Sequence, residues 1–304
     1  MPQPRSGGDR SDTAVVTGAS RGIGLAVAHR LARSGHHVVL TSRRLEDAQT
    51  AADRVCAAVG DDAAATGAAL ELGDRDSIAE FATPLARDGG LRVLVNNAGI
   101  APTSTEYTKE GFERHTAVNV LGSVLLTETL LPRLAVNGRA GLFGISSLSN
   151  VVATRSRIRR SLTPGDLPRP VPFLHYAASK AALHLVLRHY RRRAEQQSLD
   201  LTVGSIYPGF VDTSIYDEYS LAVRRAIRLA AVSPDRSGEV VAAMLADGPR
   251  GEFYRGAQWP LLQSPVTRSD DFAAHVHALA CDALGIESAW AAEVAGTGAA
   301  LGKD

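Results

Sequence analysis

Short apolar runs without polar alternation recur along the first two thirds of this chain. They are Thr13–Thr17 (TAVVT), His37–Thr41 (HVVLT), Leu91–Asn97 (LRVLVNN), Gly141–Ser146 (GLFGIS) and Leu201–Gly209 (LTVGSIYPG). Runs of this kind suit strands covered on both faces, as in a parallel sheet. Longer stretches of helical period separate them. In GIGLAVAHRLARSG, Leu25, Ala28, Leu31 and Ala32 share one side and Gly35 supplies the stop. Strand and helix in alternation predict an α/β fold, a doubly wound parallel sheet with helices on both faces. The expected organisation is a polar, disordered segment over 1–11, one domain over 12–286, and a flexible alanine- and glycine-rich tail over 287–304. Ser269 is placed to cap a short closing helix in SDDFAAHVHALACDALGI.

One segment breaks the rhythm. Val151–Phe173 (VVATRSRIRRSLTPGDLPRPVPF) holds five arginines and four prolines, and reads as an inserted loop or short irregular helix. Either it is a flap over a ligand or a solvated loop that shields a helix face, since charge runs are usually solvated.

The first run leads into Thr17–Gly24 (TGASRGIG), which opens the first helix. In that setting Gly18 allows a tight turn, Gly22 lets a pyrophosphate approach and Gly24 lets helix pack on strand. Unpaired N–H groups at the helix start and the positive end of its dipole favour an anion there. Ser20, Arg21 and Ile23 belong to the same loop. The sheet is therefore expected to be Rossmann-like and to bind a nucleotide at this loop, the plainer alternative being a strand–helix turn with no ligand.

Composition narrows the partners. The 304 residues carry a net charge of +1, so no overall field recruits nucleic acid or an anionic membrane. No apolar run approaches the ~20 residues that span a bilayer, and the start lacks the apolar core of a signal peptide. Cys56 and Cys281 have no metal or redox spacing, which suits a reducing cytoplasm. A small-molecule substrate is the expected partner, with monomer and homo-oligomer both open. The nine histidines show no ligand spacing, and no metal is expected.

Tyr176 and Lys180 in YAASK stand four residues apart, which on a helix places phenol and ammonium on one face. A positive neighbour favours the ionised form of a phenol that ordinarily titrates near pH ~10. TGASRGIG, Asn96–Gly99 (NNAG), Ile145–Ser147 (ISS), YAASK and Tyr207–Thr213 (YPGFVDT) occur in that order. Together they resemble the short-chain dehydrogenase/reductase family in its compact single-domain form. Carbonyl reductase-like and retinol dehydrogenase-like members are the nearest, because residues are inserted between Ser147 and Tyr176. The resemblance runs from about Thr13 to Phe253.

The resemblance implies roles residue by residue. Ser147 would hold the substrate carbonyl, with Ser146 the competing candidate. Tyr176 would protonate the carbonyl oxygen, and Lys180 would lower the tyrosine pKa and bind the nicotinamide ribose. Asn119 would hold a proton-relay water, unless it is only a buried asparagine that kinks its helix. His175 reads as a neighbour of the pair. Asn97, Ala98 and Gly99 would line the adenine ribose. Glu71, with Leu72 beside it, stands where the family usually has an aspartate for the adenine amino group, and Asp74 could be mistaken for it. Pro208 and Gly209 would turn beneath the nicotinamide, with Val211 and Thr213 near its carboxamide.

Cofactor choice turns on the end of the second strand. There LTSRRLED offers Ser42, Arg43 and Arg44 with no acid before Glu46. With Arg21 these suit a 2′-phosphate, so NADP(H) is expected rather than NAD(H). The expected activity is NADPH-dependent reduction of a ketone or aldehyde, or the reverse oxidation. A ketoreductase acting on a carrier-bound or polyketide ketone is the alternative within enzymes. A non-catalytic NADPH-binding redox sensor is the alternative outside them, disfavoured because Ser147, Tyr176 and Lys180 are all present.

Overall fold

The computed structural model describes residues 12–62, 64–87, 90–100, 106–136, 138–165, 171–207, 253–254 and 265–290, with positions 239 and 243. The expected N-terminal segment 1–11 lies outside them. Seven strands form one sheet in the order β3-β2-β1-β4-β5-β6-β7. They are β1 (Thr13–Val16), β2 (His37–Ser42), β3 (Ala65–Ala69), β4 (Leu91–Asn96), β5 (Ala140–Ile145), β6 (Leu201–Ile206) and β7 (Phe253–Tyr254). Every pairing is parallel. The chain runs outward from β1 to β3, then returns to place β4 on the other side of β1. That reversal opens a crevice beyond the carboxyl ends of β1 and β4, where ligands of open α/β sheets bind.

Each strand is apolar on both faces because each face is covered. Ala14, Val16, Val93, Val95 and Phe143 pack with Val27 and Leu31 of α1 (Gly22–Arg33) and Val55 of α2 (Leu45–Val59). Their neighbours Val15, Leu94, Leu142 and Val203 point the other way, towards α3 (Arg75–Arg87), α5 (Ser123–Val136) and α7 (Pro172–Gln196). Ahead of α5, the short helix α4 (Arg114–Thr116) continues into a π-helical turn, Ala117–Gly122. Gly122 lies so close to the β3–α3 turn that a Cβ there would stand 2.1 Å from the Leu72 carbonyl oxygen. Backbone cannot yield as a side chain does. Gly122→Ala is therefore expected to destabilise by about 1–3 kcal/mol, read as a lowered urea midpoint at unchanged m-value.

One sequence expectation takes definite form and one needs correction. The insertion, expected as a loop or short irregular helix, is a short helix held to the core. A 3₁₀ turn (Leu148–Val152) leads to α6 (Arg155–Ser161), which Thr154 caps by accepting the Arg157 N–H. Ile158 and Leu162 belong to the core, and Arg155 lies over the Phe272 ring at 4.9 Å. Buried apolar anchors inside an arginine-rich stretch hold it down; residues 166–170 lie outside the described set.

The tail, expected to loosen at 287, does not. The closing helix α8 (Asp270–Leu284) is capped by Ser269 and ended by Gly285 at φ +61°. Beyond it Ala289 donates its N–H to Glu128 at 2.5 Å, Trp290 is buried, and Arg193 stands over the indole at 5.9 Å. A buried carboxylate and a covered indole thus fix the chain through 290. Residues 291–304 lie outside the described set.

Candidate active site

The glycine loop takes the form that an approaching anion requires. Gly18 and Gly22 have φ +62° and +60°, a region that side chains resist. A Cβ at Gly24 would fall 2.4 Å from Asn97 Nδ2 and 2.7 Å from the Gly18 oxygen. The loop is tied to the end of β4. Asn97 Nδ2 donates to the Thr17 and Gly18 carbonyls at 2.7 and 3.0 Å, and Thr17 Oγ1 accepts the N–H groups of Asn97 and Ala98. The Asn97 amide is thereby engaged in holding the loop. Helix α1 begins after an extended Arg21, with no side-chain cap and no acid in its first turn. Its opening N–H groups meet no competing carboxylate there, which fits a dinucleotide pyrophosphate.

At the end of β2, Ser42 is half-buried while Arg43 and Arg44 are exposed. Arg44 is engaged by the first turn of α2, 2.6 Å from Glu46 and 4.0 Å from Asp47. Arg21 and Arg43 make no ion pair among the described residues. The arginines thus differ, Arg44 being engaged by acids of α2 where Arg43 is not. Beyond β3, Glu71 Oε1 accepts the Gly73 N–H at 3.0 Å and Leu72 is buried in the core, leaving only backbone for a ligand at 72. Asp74 caps α3, accepting the N–H groups of Asp76 and Ser77.

The two serines after β5 separate cleanly. Ser146 is buried, with its hydroxyl on the Lys180 carbonyl and its N–H on Ile206. Ser147 is half-buried and caps the 3₁₀ turn, accepting the Ser149 N–H at 3.2 Å. Tyr176 and Lys180 lie one turn apart on α7, both buried. Lys180 Nζ stands 6.0 Å from the Tyr176 ring centroid and donates to the Ile145 carbonyl at 3.0 Å. Burial lowers its pKa to about 8, which leaves the ammonium largely charged at neutral pH.

Asn119 sits in the π-helical turn, fully buried. Its Oδ1 accepts the Ile100 N–H at 2.8 Å, and its Nδ2 donates to the Ile100 carbonyl and to Ser179 Oγ. Both Nδ2 hydrogens are thereby engaged, and Oδ1 keeps one lone pair beyond the bond from Ile100. Ser179 Oγ donates in turn to the Tyr176 carbonyl at 2.8 Å, so Asn119 is linked to the turn of α7 that carries Tyr176.

Three residues beside Tyr176 escaped the sequence reading: Ser179, Glu113 and His115. Glu113 and His115 are fully buried and joined by a 2.5 Å contact, Oε1 to Nδ1. The only signal in the chain was an acid two residues before a histidine, too common to single out. Pro208, Gly209, Val211 and Thr213 lie outside the described residues.

Comparison with known proteins places this geometry among relatives. Residues 12–159 match the family model described as short chain dehydrogenase. Polyprenol dehydrogenase of Mus musculus is 34% identical over 223 residues, covering 71% of this chain and 64% of that protein. The chain thus spans just under two thirds of that relative's length. Retinol dehydrogenase 11 of Mus musculus is 30% identical over 287 residues, 91% of this chain and 87% of that protein. The crystal structure of a metagenomic short-chain oxidoreductase in complex with NADP is 29% identical, with TM-score 0.59, covering 83% of this chain and 98% of that one. Among the described residues, no helix is long and apolar enough to cross a membrane.

Proposed function

Because the chain belongs to the short-chain dehydrogenase/reductase family, we propose that it is an NADP(H)-dependent oxidoreductase interconverting an alcohol with an aldehyde or ketone. One observation carries the reading: a buried ammonium, Lys180, stands 6.0 Å from the ring of a buried phenol, Tyr176, at the carboxyl edge of the sheet. Bound NADP(H) would supply or accept the hydride.

The chain's own residues do the rest. In reduction Tyr176 donates its proton to the carbonyl oxygen, and in oxidation it takes one from the alcohol. The Lys180 ammonium, 6.0 Å from the ring, favours the phenolate that is left when the proton has gone. A donor tuned near working pH transfers protons most effectively. Ser147 holds the carbonyl oxygen. The glycine loop and the start of α1 hold the pyrophosphate, Lys180 the nicotinamide ribose, and Arg43 with Arg21 the 2′-phosphate.

Two relatives are named for polyprenol and retinol, which favours an apolar alcohol or its aldehyde as substrate. Val151 and Val152 at one end of the insertion, and Val171 and Phe173 at the other, are exposed apolar side chains that suit such a ligand. The free thiols of Cys56 and Cys281 fit a reducing compartment, and the cytoplasm is the proposed location.

The test is oxidation of NADPH or NADH by the purified protein with apolar and small polar aldehydes. NADPH with apolar aldehydes should win. Charge-assisted bonds of about 1.5–3 kcal/mol predict that Arg43→Ala weakens NADPH by about 10–150-fold and leaves NADH nearly unchanged. Equal use of both cofactors by the unaltered protein would sink the phosphate assignment.

A further inference from the structure

Tyr176 is flanked by more than Lys180. The imidazole of His115 approaches its ring at 6.1 Å between centroids, with the planes at 64°. His115 is itself held twice by Glu113, the N-cap of α4. Glu113 Oε2 accepts the His115 N–H at 2.9 Å, and Oε1 lies 2.5 Å from Nδ1. An ionised carboxylate can only accept, so Nδ1 carries the proton of that bond. Both side chains are completely buried, and His115 Nε2 has no hydrogen-bond partner. Confining a carboxylate and an imidazole in a core costs desolvation free energy, which ordinary apolar packing would avoid. One helical turn further along, Asn119 is bonded to Ser179, and Ser179 to the Tyr176 carbonyl. The segment from Glu113 to Asn119 thus grips the catalytic turn of α7 at successive levels, side chain first and backbone second.

We propose that Glu113 and His115 form a positioning dyad for Tyr176, in which the carboxylate fixes the imidazole plane and the imidazole fixes the phenol. This rests on Tyr176 being the proton donor. The phenol must point at one place relative to cofactor and substrate; turning about χ2 leaves its oxygen on the same axis, so the motion that needs a wall is the swing of the whole ring about χ1. His115 supplies that wall at the ring's edge, and it also stands between Tyr176 and a buried negative charge. Lys180 is the other charged group against the ring, at 6.0 Å, and beside Tyr176 in sequence His175 feels Glu113, Arg157 on α6 and His115. Burial lowers the pKa of His175, Glu113 opposes that shift, and Arg157 and His115 reinforce it.

The experiment uses the full chain with His115→Asn, Glu113→Gln and Glu113→Ala, each alone and each with Tyr176→Phe. Asparagine can still donate to Glu113 but has no ring, and glutamine still accepts from Nδ1. His115→Asn should lower kcat by about 10–100-fold with NADPH affinity within about twofold, because orientation is lost and cofactor contacts are kept. Glu113→Gln should restore most of what Glu113→Ala loses. In the Tyr176→Phe background His115→Asn should cost nothing further, since the dyad acts through the phenol. Equal losses in both backgrounds, or a parallel loss of NADPH affinity, would overturn the dyad in favour of a general packing role.

A readout without turnover separates this from the functional proposal. Tyrosinate absorbance on alkaline titration, as the difference from Tyr176→Phe, reports the Tyr176 pKa directly. With the imidazole gone, the Glu113 charge should raise that pKa by about one unit. A shift in a protein that turns over no carbonyl would uphold the dyad and reject the proposed reaction. No shift would reject the dyad whatever the activity.

Discussion

Tyr176→Phe is expected to lower kcat/KM for carbonyl reduction by about 10²–10⁴-fold while NADPH affinity stays within about twofold. The range is what a positioned general acid contributes, and phenylalanine removes only the hydroxyl that carries the proton. The ring's neighbours, His115 at 6.1 Å and Lys180 Nζ at 6.0 Å, remain in place, so the fold should not respond. Steady-state kinetics with an apolar aldehyde and a fluorescence titration with NADPH measure the two quantities separately. Retention of most of the wild-type rate would remove the proton-donor role. A matching fall in cofactor affinity would instead point to disturbed binding.

Glu128→Ala is expected to destabilise the protein by about 3–5 kcal/mol, because it strands several buried partners at once. Glu128 Oε1 accepts from Tyr190 at 2.7 Å and lies 2.7 Å from His277 Nε2, while Oε2 accepts the Ala289 N–H at 2.5 Å. These partners come from α7, α8 and the chain beyond α8, so one carboxylate on α5 holds the closing helix to the domain. The cluster is a staple in which every Glu128 oxygen is bonded. Burial alone would raise the pKa of Glu128, but the bonds from His277, Ala289 and Tyr190 outweigh it and hold the value below the usual 4.5. A depressed carboxylate pKa gives stability that is present above the unfolded value and lost as pH falls through the folded one. Urea unfolding should therefore show the wild-type advantage over Glu128→Gln shrinking below about pH 4.5, the ordinary glutamate range. A wild-type advantage that persists undiminished at lower pH would mean that the charge contributes nothing.

The sheet was legible where strands are built of branched apolar residues. The five apolar runs became β1, β2, β4, β5 and β6, and the helical period of GIGLAVAHRLARSG became α1. β3 carried no such mark, since Ala65–Ala69 (ATGAA) has weak strand preference. Its small residues answer to a neighbour: a Cβ at Gly67 would lie 2.3 Å from the Gln49 nitrogen of α2. A requirement imposed by a helix many residues away leaves no periodic trace. β7 is two residues long and exists by pairing with β6.

The same division runs through the site. TGASRGIG announced its backbone because positive φ and close approach select glycine locally, and Gly18 and Gly22 are found at positive φ. The four-residue spacing of Tyr176 and Lys180 became a shared helix face because helical geometry is local too. Only the tertiary structure gave Ser146 and Ser147 different surroundings, burying one on the Lys180 carbonyl and leaving the other partly open. It also drew Arg44 to Glu46 and, among the described residues, left Arg43 without an ion pair. And it brought His115 against Tyr176, 61 positions further along the chain. Local sequence dictates backbone turns and helical faces, because the energies involved lie within a few residues. Burial, competition for partners and contacts between distant elements arise only when the chain closes on itself.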